Sequence, residues 1–299
     1  TGVQTCALPI LTSYYSPVQI PGTTWDIPAA GSNHSLATKT DGTLWSWGRN
    51  VEGELGLSSA GVNTGKSSPT QIPGNTWSKV VGGQRRSYAI RTDGTLWAWG
   101  FNITGQLGQG DRTDYYSPRQ IPGATWRSVS AGYNNAIAVS TTNQLYAWGL
   151  NQFGQLGQNN TTYSNYPIQI PGTTWSSAEI SSAHMLATKT DGTLWAWGRN
   201  YAGALGQNSR TQYSSPIQIP GTTWSSPISG GYYGSSLAFK TDNTLWSWGY
   251  NSKGELGQNN RIQYSSPVQI PGTTWASGNT KISFGNAFTT VFAIKNNVQ

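Results

Sequence analysis

Asp93-Gly94-Thr95-Leu96-Trp97-Ala98-Trp99-Gly100 is the stretch whose reading decides the fold. It returns as residues 41–48 and 191–198, and in looser form as 143–149 and 242–249. Asp-Gly reads as the centre of a two-residue type I′ hairpin turn, which needs positive φ. Behind it, Leu and the aromatics alternate with small residues at the strand period of two. Trp97 and Trp99 then face one side and Leu96 and Ala98 the other. Both sides are apolar, which predicts a short strand buried on both faces.

A second landmark, Ile-Pro-Gly-x-Thr-Trp, ends at Trp25, Trp77, Trp126, Trp175, Trp224 and Trp275, at spacings of 52, 49, 49, 49 and 51 residues. The final Trp of the first landmark steps by 52, 49, 49 and 51. Two landmarks sharing a period near fifty mark a repeat architecture. All 15 Trp fall within them, so they read as a core set by geometry and not as scattered stacking platforms. Each Trp pair is expected to pack on the small side (Ala98 or Ser46) of the next unit.

A chain of 299 residues can bury a large core, and the repeat points to one unit, not two. Only 10% of residues are charged, and no helical period persists, so an all-β chain is expected. No apolar run reaches the length of a spanning helix. The net charge of +7 comes from dispersed Lys and Arg with no basic tail, so no nucleic-acid partner is expected. Residues 1–11 match no part of the repeat. The first ten resemble a translated sequencing adapter and are set aside as a non-native tail. The single Cys lies in that tail, leaving no disulfide framework.

Within each unit, four short strands are expected. In the first they are Trp25 to Ala30 (A), His34 to Lys39 (B), Thr43 to Gly48 (C) and Ser68 to Gly74 (D). Pro in D assigns it to a sheet edge. Units run over 25–74, 77–123, 126–172, 175–221 and 224–272. A sixth, incomplete one combines 12–22 with 275–299, and its Trp-rich C strand is absent. Four antiparallel strands per fifty residues predict a β-propeller over 12–299, with four-stranded blades.

The run Leu-Trp-x-Trp-Gly-x-Asn-x-x-Gly-x-Leu-Gly, as in Leu96 to Gly108 and Leu194 to Gly206, resembles the regulator of chromosome condensation repeat. The resemblance implies a propeller, usually of seven blades. Its members include a nuclear exchange factor for a small GTPase, a secreted bacterial β-lactamase inhibitor and many bacterial proteins, which these near-identical repeats are similar to. The exchange factor acts through a wedge inserted in one blade. No unit here carries such an insertion, which argues against exchange activity.

Function has to be sought in what differs between copies. The B–C and D–A turns barely change and share one face of the disc. The A–B tips and C–D loops share the opposite face, and they vary. That face offers Arg49, Arg85, Arg86, Phe101, Tyr133, Asn134, Phe153, His184, Met185, Arg199, Tyr201, Tyr232, Tyr233 and Tyr250. Aromatics and Arg on rigid loops are the composition of a protein-binding surface. The expected role is a non-catalytic, monomeric scaffold that binds a protein and needs no cofactor. A glycan-binding propeller is the alternative, with Tyr232 and Tyr233 stacking on sugar rings. His34 and His184 share a unit position and read as turn caps, not metal ligands or acid–base groups. No metal-ligand spacing, paired carboxylates, Ser–His–acid set or phosphate-cradling Gly motif is present. The Asn-, Gln- and Thr-rich composition points towards the cell surface or exterior.

Overall fold

Short runs alternating at a period of two, punctuated by Gly and Pro, become strands along the whole chain; among the described residues there is no helix. The computed structural model describes residues 18–181, 183–230, 234–272, 275, 282–284 and 291–293. The first blade is β1 (Trp25–Ala30), β2 (His34–Lys39), β3 (Leu44–Gly48) and β4 (Lys66–Ile72). The second is β5 (Trp77–Gly82), β6 (Arg86–Arg91), β7 (Leu96–Gly100) and β8 (Tyr115–Gln120). The third is β9 (Trp126–Ala131), β10 (Asn135–Ser140), β11 (Leu145–Gly149) and β12 (Ser164–Ile170). The fourth is β13 (Trp175–Ile180), β14 (His184–Lys189), β15 (Leu194–Gly198) and β16 (Tyr213–Ile219). The fifth is β17 (Trp224–Gly230), β18 (Ser235–Lys240), β19 (Leu245–Gly249) and β20 (Tyr264–Gln269). Each blade is a four-stranded antiparallel meander in chain order, as a β-propeller requires.

Successive A strands, from β1 through β5, β9 and β13 to β17, touch one another and are therefore innermost. Among the described residues the D strands pair only with their own C strand, so their central prolines (Pro69, Pro118, Pro167, Pro216 and Pro267) sit on an edge where no ladder bond is missed. The first D strand runs over Lys66–Ile72 instead of 68–74, because Pro73 ends it. Of the sixth unit's part expected at 12–22, residues 12–17 lie outside the described residues and 18–22 form no strand. In the sixth unit β21 (Ile282–Phe284) pairs antiparallel with β22 (Val291–Ala293).

Two expectations need correction. The Asp-Gly turn is not type I′. Gly42 alone is left-handed (φ 79°), and its N–H donates to the Lys39 carbonyl at 2.9 Å. That is a type I turn closed by one left-handed residue, and Asn143 and Asn243 (φ 62° each) fill the role in blades three and five. The Trp pairs are also not alike. Trp99, Trp148, Trp197 and Trp248 are fully buried, whereas Trp97, Trp195 and Trp246 are half-buried. Each buried indole enters the blade before it, not the one after. Trp148 packs with Ala98 and Leu107, Trp197 with Ala147 and Leu156, and Trp248 with Ala196 and Leu205. The hydrophobic core is thus a set of equivalent seams between blades.

Candidate functional site

The C–D loops are long, yet each is built around one buried amide. Asn102 Oδ1 accepts from Leu107 N–H at 2.9 Å, and its Nδ2 donates to the Thr113 carbonyl at 2.9 Å. Asn50, Asn151, Asn200 and Asn251 hold their loops in the same way. The folded loop then clasps the following blade. Trp99 Nε1 donates to the Glu54 carbonyl at 3.0 Å, and Trp148, Trp197 and Trp248 donate to Gln106, Gln155 and Ala204 at 2.8 Å each. Trp47 is half-buried. Loops anchored in this way are a rigid platform for side chains.

On the opposite face, four blades repeat one network. Asp191 Oδ1 accepts from the Thr193 amide at 2.9 Å and hydroxyl at 2.7 Å, and Thr193 Oγ1 accepts from Trp195 Nε1 at 2.9 Å. Lys189 lies over that indole at 4.3 Å and over Trp175 at 4.9 Å, the two rings meeting edge to face. Lys39, Arg91 and Lys240 do the same. The Thr contacts hold the Asp41, Asp93, Asp191 and Asp242 carboxyls below their usual range, aided by these cations. Blade three reaches the same end differently: Arg127 bonds Asn143 Oδ1 at 2.7 Å and the Trp175 and Ser176 carbonyls at 3.0 and 2.7 Å. The basic residue closing strand B was a signal available in the sequence, since it precedes Thr-Asp in four copies.

The face of A–B tips and C–D loops gathers two clusters. In the first, Arg49 pairs with Glu52 and, at 2.9 Å, with Glu54, while Arg85 pairs with Glu52 at 3.2 Å and lies 5.6 Å from the Phe101 ring. In the second, the Arg199 guanidinium lies over the Phe153 ring (5.1 Å to its centre) and over the Tyr201 ring (4.2 Å). Tyr133 is exposed and Asn134 half-buried, its carbonyl taking the Leu150 amide at 2.9 Å. Half-buried Tyr250 accepts at its hydroxyl from Ser252 Oγ at 2.6 Å. Tyr232 and Tyr233 lie outside the described residues.

Three candidates are not on this surface at all. Arg86 is fully buried and donates to the Tyr133, Gly132 and Asn135 carbonyls of the next blade at 2.7, 2.8 and 3.0 Å. Met185 belongs to the seam core between blades three and four. His184, 1% exposed, joins Ser181 Oγ at 2.6 Å and Ser236 Oγ of the next blade at 2.8 Å. His34 repeats the contact with Ser87 at 2.9 Å. Burial holds both imidazoles neutral, lowering their pKa to about 4, with Arg49 and Arg86 adding repulsion at His34. These first residues of strand B are blade-to-blade staples, because that position lies under the neighbouring blade. Among the described residues no group of three or more His, Cys, Asp or Glu gathers to hold a metal.

The family model for RCC1-like domains matches residues 29–291. The chain belongs to the RCC1-like domain family. Shorter stretches of this RCC1-like chain match curated proteins. The ultraviolet-B receptor UVR8 of Arabidopsis thaliana is 37% identical over 86 residues, covering 29% of this chain and 20% of the receptor. Human RCC2 is 39% identical over 84 residues, covering 27% and 16%. The chain thus spans a fifth or less of the length of these curated relatives. Among solved structures, human WBSCR16 superposes with a TM-score of 0.80 at 20% identity, covering 95% of this chain and 76% of that one. Yeast RCC1 (Prp20) bound to Kap60 gives 0.73 at 20% identity, covering 91% and 66%. Those likenesses are of fold.

Proposed function

We propose that this RCC1-like propeller is a non-catalytic scaffold that docks a protein partner on the face of A–B tips and C–D loops. One observation carries the reading: the opposite face repeats a single Asp–Thr–Trp–cation network in four blades, while this face sets different side chains on an equally rigid frame. Rigid loops bearing exposed aromatics and arginines lose little conformational freedom on binding, which favours protein recognition. Protein binding is also the theme of a related structure, described as yeast Prp20p with its binding properties to Gsp1p and histones. The described loops differ from blade to blade, which does not favour one sugar pocket repeated around the disc.

The test is a photo-crosslinking residue placed at Tyr133 or Phe153 and, separately, at Asp93 or Thr193 on the other face. Capture of one defined protein from the first pair alone is expected. Equal capture from both faces, or retention of the propeller on a glycan array with no protein captured, would overturn the proposal.

A further inference from the structure

Blades one and four carry the same arginine in the same place, directly after Trp-Gly, but surround it differently. Around Arg49 the loop reads Asn50-Val51-Glu52-Gly53-Glu54, and both glutamates pair with the guanidinium. Around Arg199 it reads Asn200-Tyr201-Ala202-Gly203-Ala204, so the two acidic positions are alanine. Among the described residues no carboxylate pairs with Arg199. In their place are two ring faces, Phe153 from the loop of blade three and Tyr201 from its own. Ring faces attract the guanidinium without neutralising it, so its donors remain suited to a planar acceptor. Arg199 is half-buried and Tyr201 is 38% exposed, so the group is reachable but partly shielded from water.

We infer that Arg199, set over the Phe153 and Tyr201 rings, receives an Asp or Glu carboxylate from the docked protein. The partner's acid fills the electrostatic role that Glu52 and Glu54 fill internally for Arg49. A carboxylate matches the guanidinium fork, and a chain of net charge +7 favours an acidic segment. The inference rests on the docking face proposed above and adds the chemistry of its contact.

The probe is a fluorescein-labelled hexaglutamate peptide, with hexaglutamine and a phosphoserine-bearing hexapeptide as parallel arms, read by fluorescence polarisation at low salt. Hexaglutamate is expected to bind and hexaglutamine not. Arg199→Gln is expected to weaken hexaglutamate about fivefold or more, while Lys66→Gln on the outer strand β4, an equal loss of charge, changes it by less than about twofold. Ala204→Glu, which restores an internal acid, should weaken binding like Arg199→Gln, with thermal melts confirming that both variants fold. Unchanged hexaglutamate binding in Arg199→Gln, or a phosphopeptide binding at Arg199 where hexaglutamate does not, would overturn the inference. Crosslinking from Tyr133 in the Arg199→Gln background separates the two ideas. Partner capture that persists at wild-type strength removes the Arg199 contact and leaves the docking face, whereas capture lost only in this variant supports it.

Discussion

The indole Nε1 of Trp148 donates to the carbonyl oxygen of Gln106 at 2.8 Å, and Gln106 belongs to the preceding blade. The same ring fills the seam beside Ala98. One side chain therefore combines apolar burial with the bond that fixes a loop.

Trp148→Ala is expected to cost about 3–5 kcal/mol in urea unfolding, from lost transfer and the cavity left behind. Trp148→Phe retains most of the apolar area and loses one bond to the Gln106 carbonyl, which keeps the Tyr88 hydroxyl, at about 0.5–1.5 kcal/mol. A loss below about 1 kcal/mol for the alanine variant would show that the seams are not the core.

Arg86 bridges blades two and three through three carbonyls and also bonds the Tyr88 hydroxyl from Nε at 3.0 Å. Lysine cannot reproduce that fork. Arg86→Lys should destabilise by about 1.5–3 kcal/mol in urea unfolding. Crosslinking from Phe153, on the far side of blade three, should be unaffected.

Asn151 should matter for both stability and binding. Its amide holds the loop that carries Phe153, accepting from Leu156 N–H at 2.8 Å and donating to the Thr162 carbonyl at 2.9 Å. Asn151→Asp removes the donor and sets a charge against that carbonyl. The expected result is a loss of about 1–3 kcal/mol. Weaker capture through Phe153 should accompany it.

The pH dependence should contain opposing parts. His34 and His184 titrate near 4 when folded against an ordinary 6.5, so the unfolded chain takes up their protons first. Their stabilising share is complete above about 6.5 and is lost as pH falls towards 4. The four turn aspartates also stabilise above the ordinary carboxylate pKa, and their share is lost only as pH falls through their lower folded values. Glu179 behaves oppositely. Burial raises it to about 7 from an ordinary 4.5, against the Ser130 hydroxyl bond at 2.7 Å, so its share is present at low pH and lost as pH rises to 7. Glu179→Gln should therefore raise the urea midpoint at pH 8 relative to wild type, with the gap closing near pH 5. His184→Gln should flatten the decline between pH 6.5 and 4.

Much of this was legible from spacing alone. Trp25–Ala30 and His34–Lys39 fall where the repeat places them, because Gly, Pro and Thr-Asp punctuation bounds every strand. The phase of strand B was not legible. Both blade faces are apolar, so alternation cannot reveal that Arg86, His184 and Met185 point into seams. Nor does the sequence report that Phe153 and Arg199, a unit apart, share one stack. That contact exists only once the loop of one blade folds over the next. The turn type was misread because Asp-Gly suits both alternatives, and the bond from Gly42 to Lys39 decides between them.

The four described seams share one device, an indole bonded to a loop carbonyl, while the first residue of strand B staples them differently. Gene duplication or deletion of one whole fifty-residue module would keep an indole and a loop carbonyl at each junction but change which strand-B staple meets which neighbour. Such a protein can grow or shrink by unequal recombination, while point changes in its loops alter recognition without disturbing the joints.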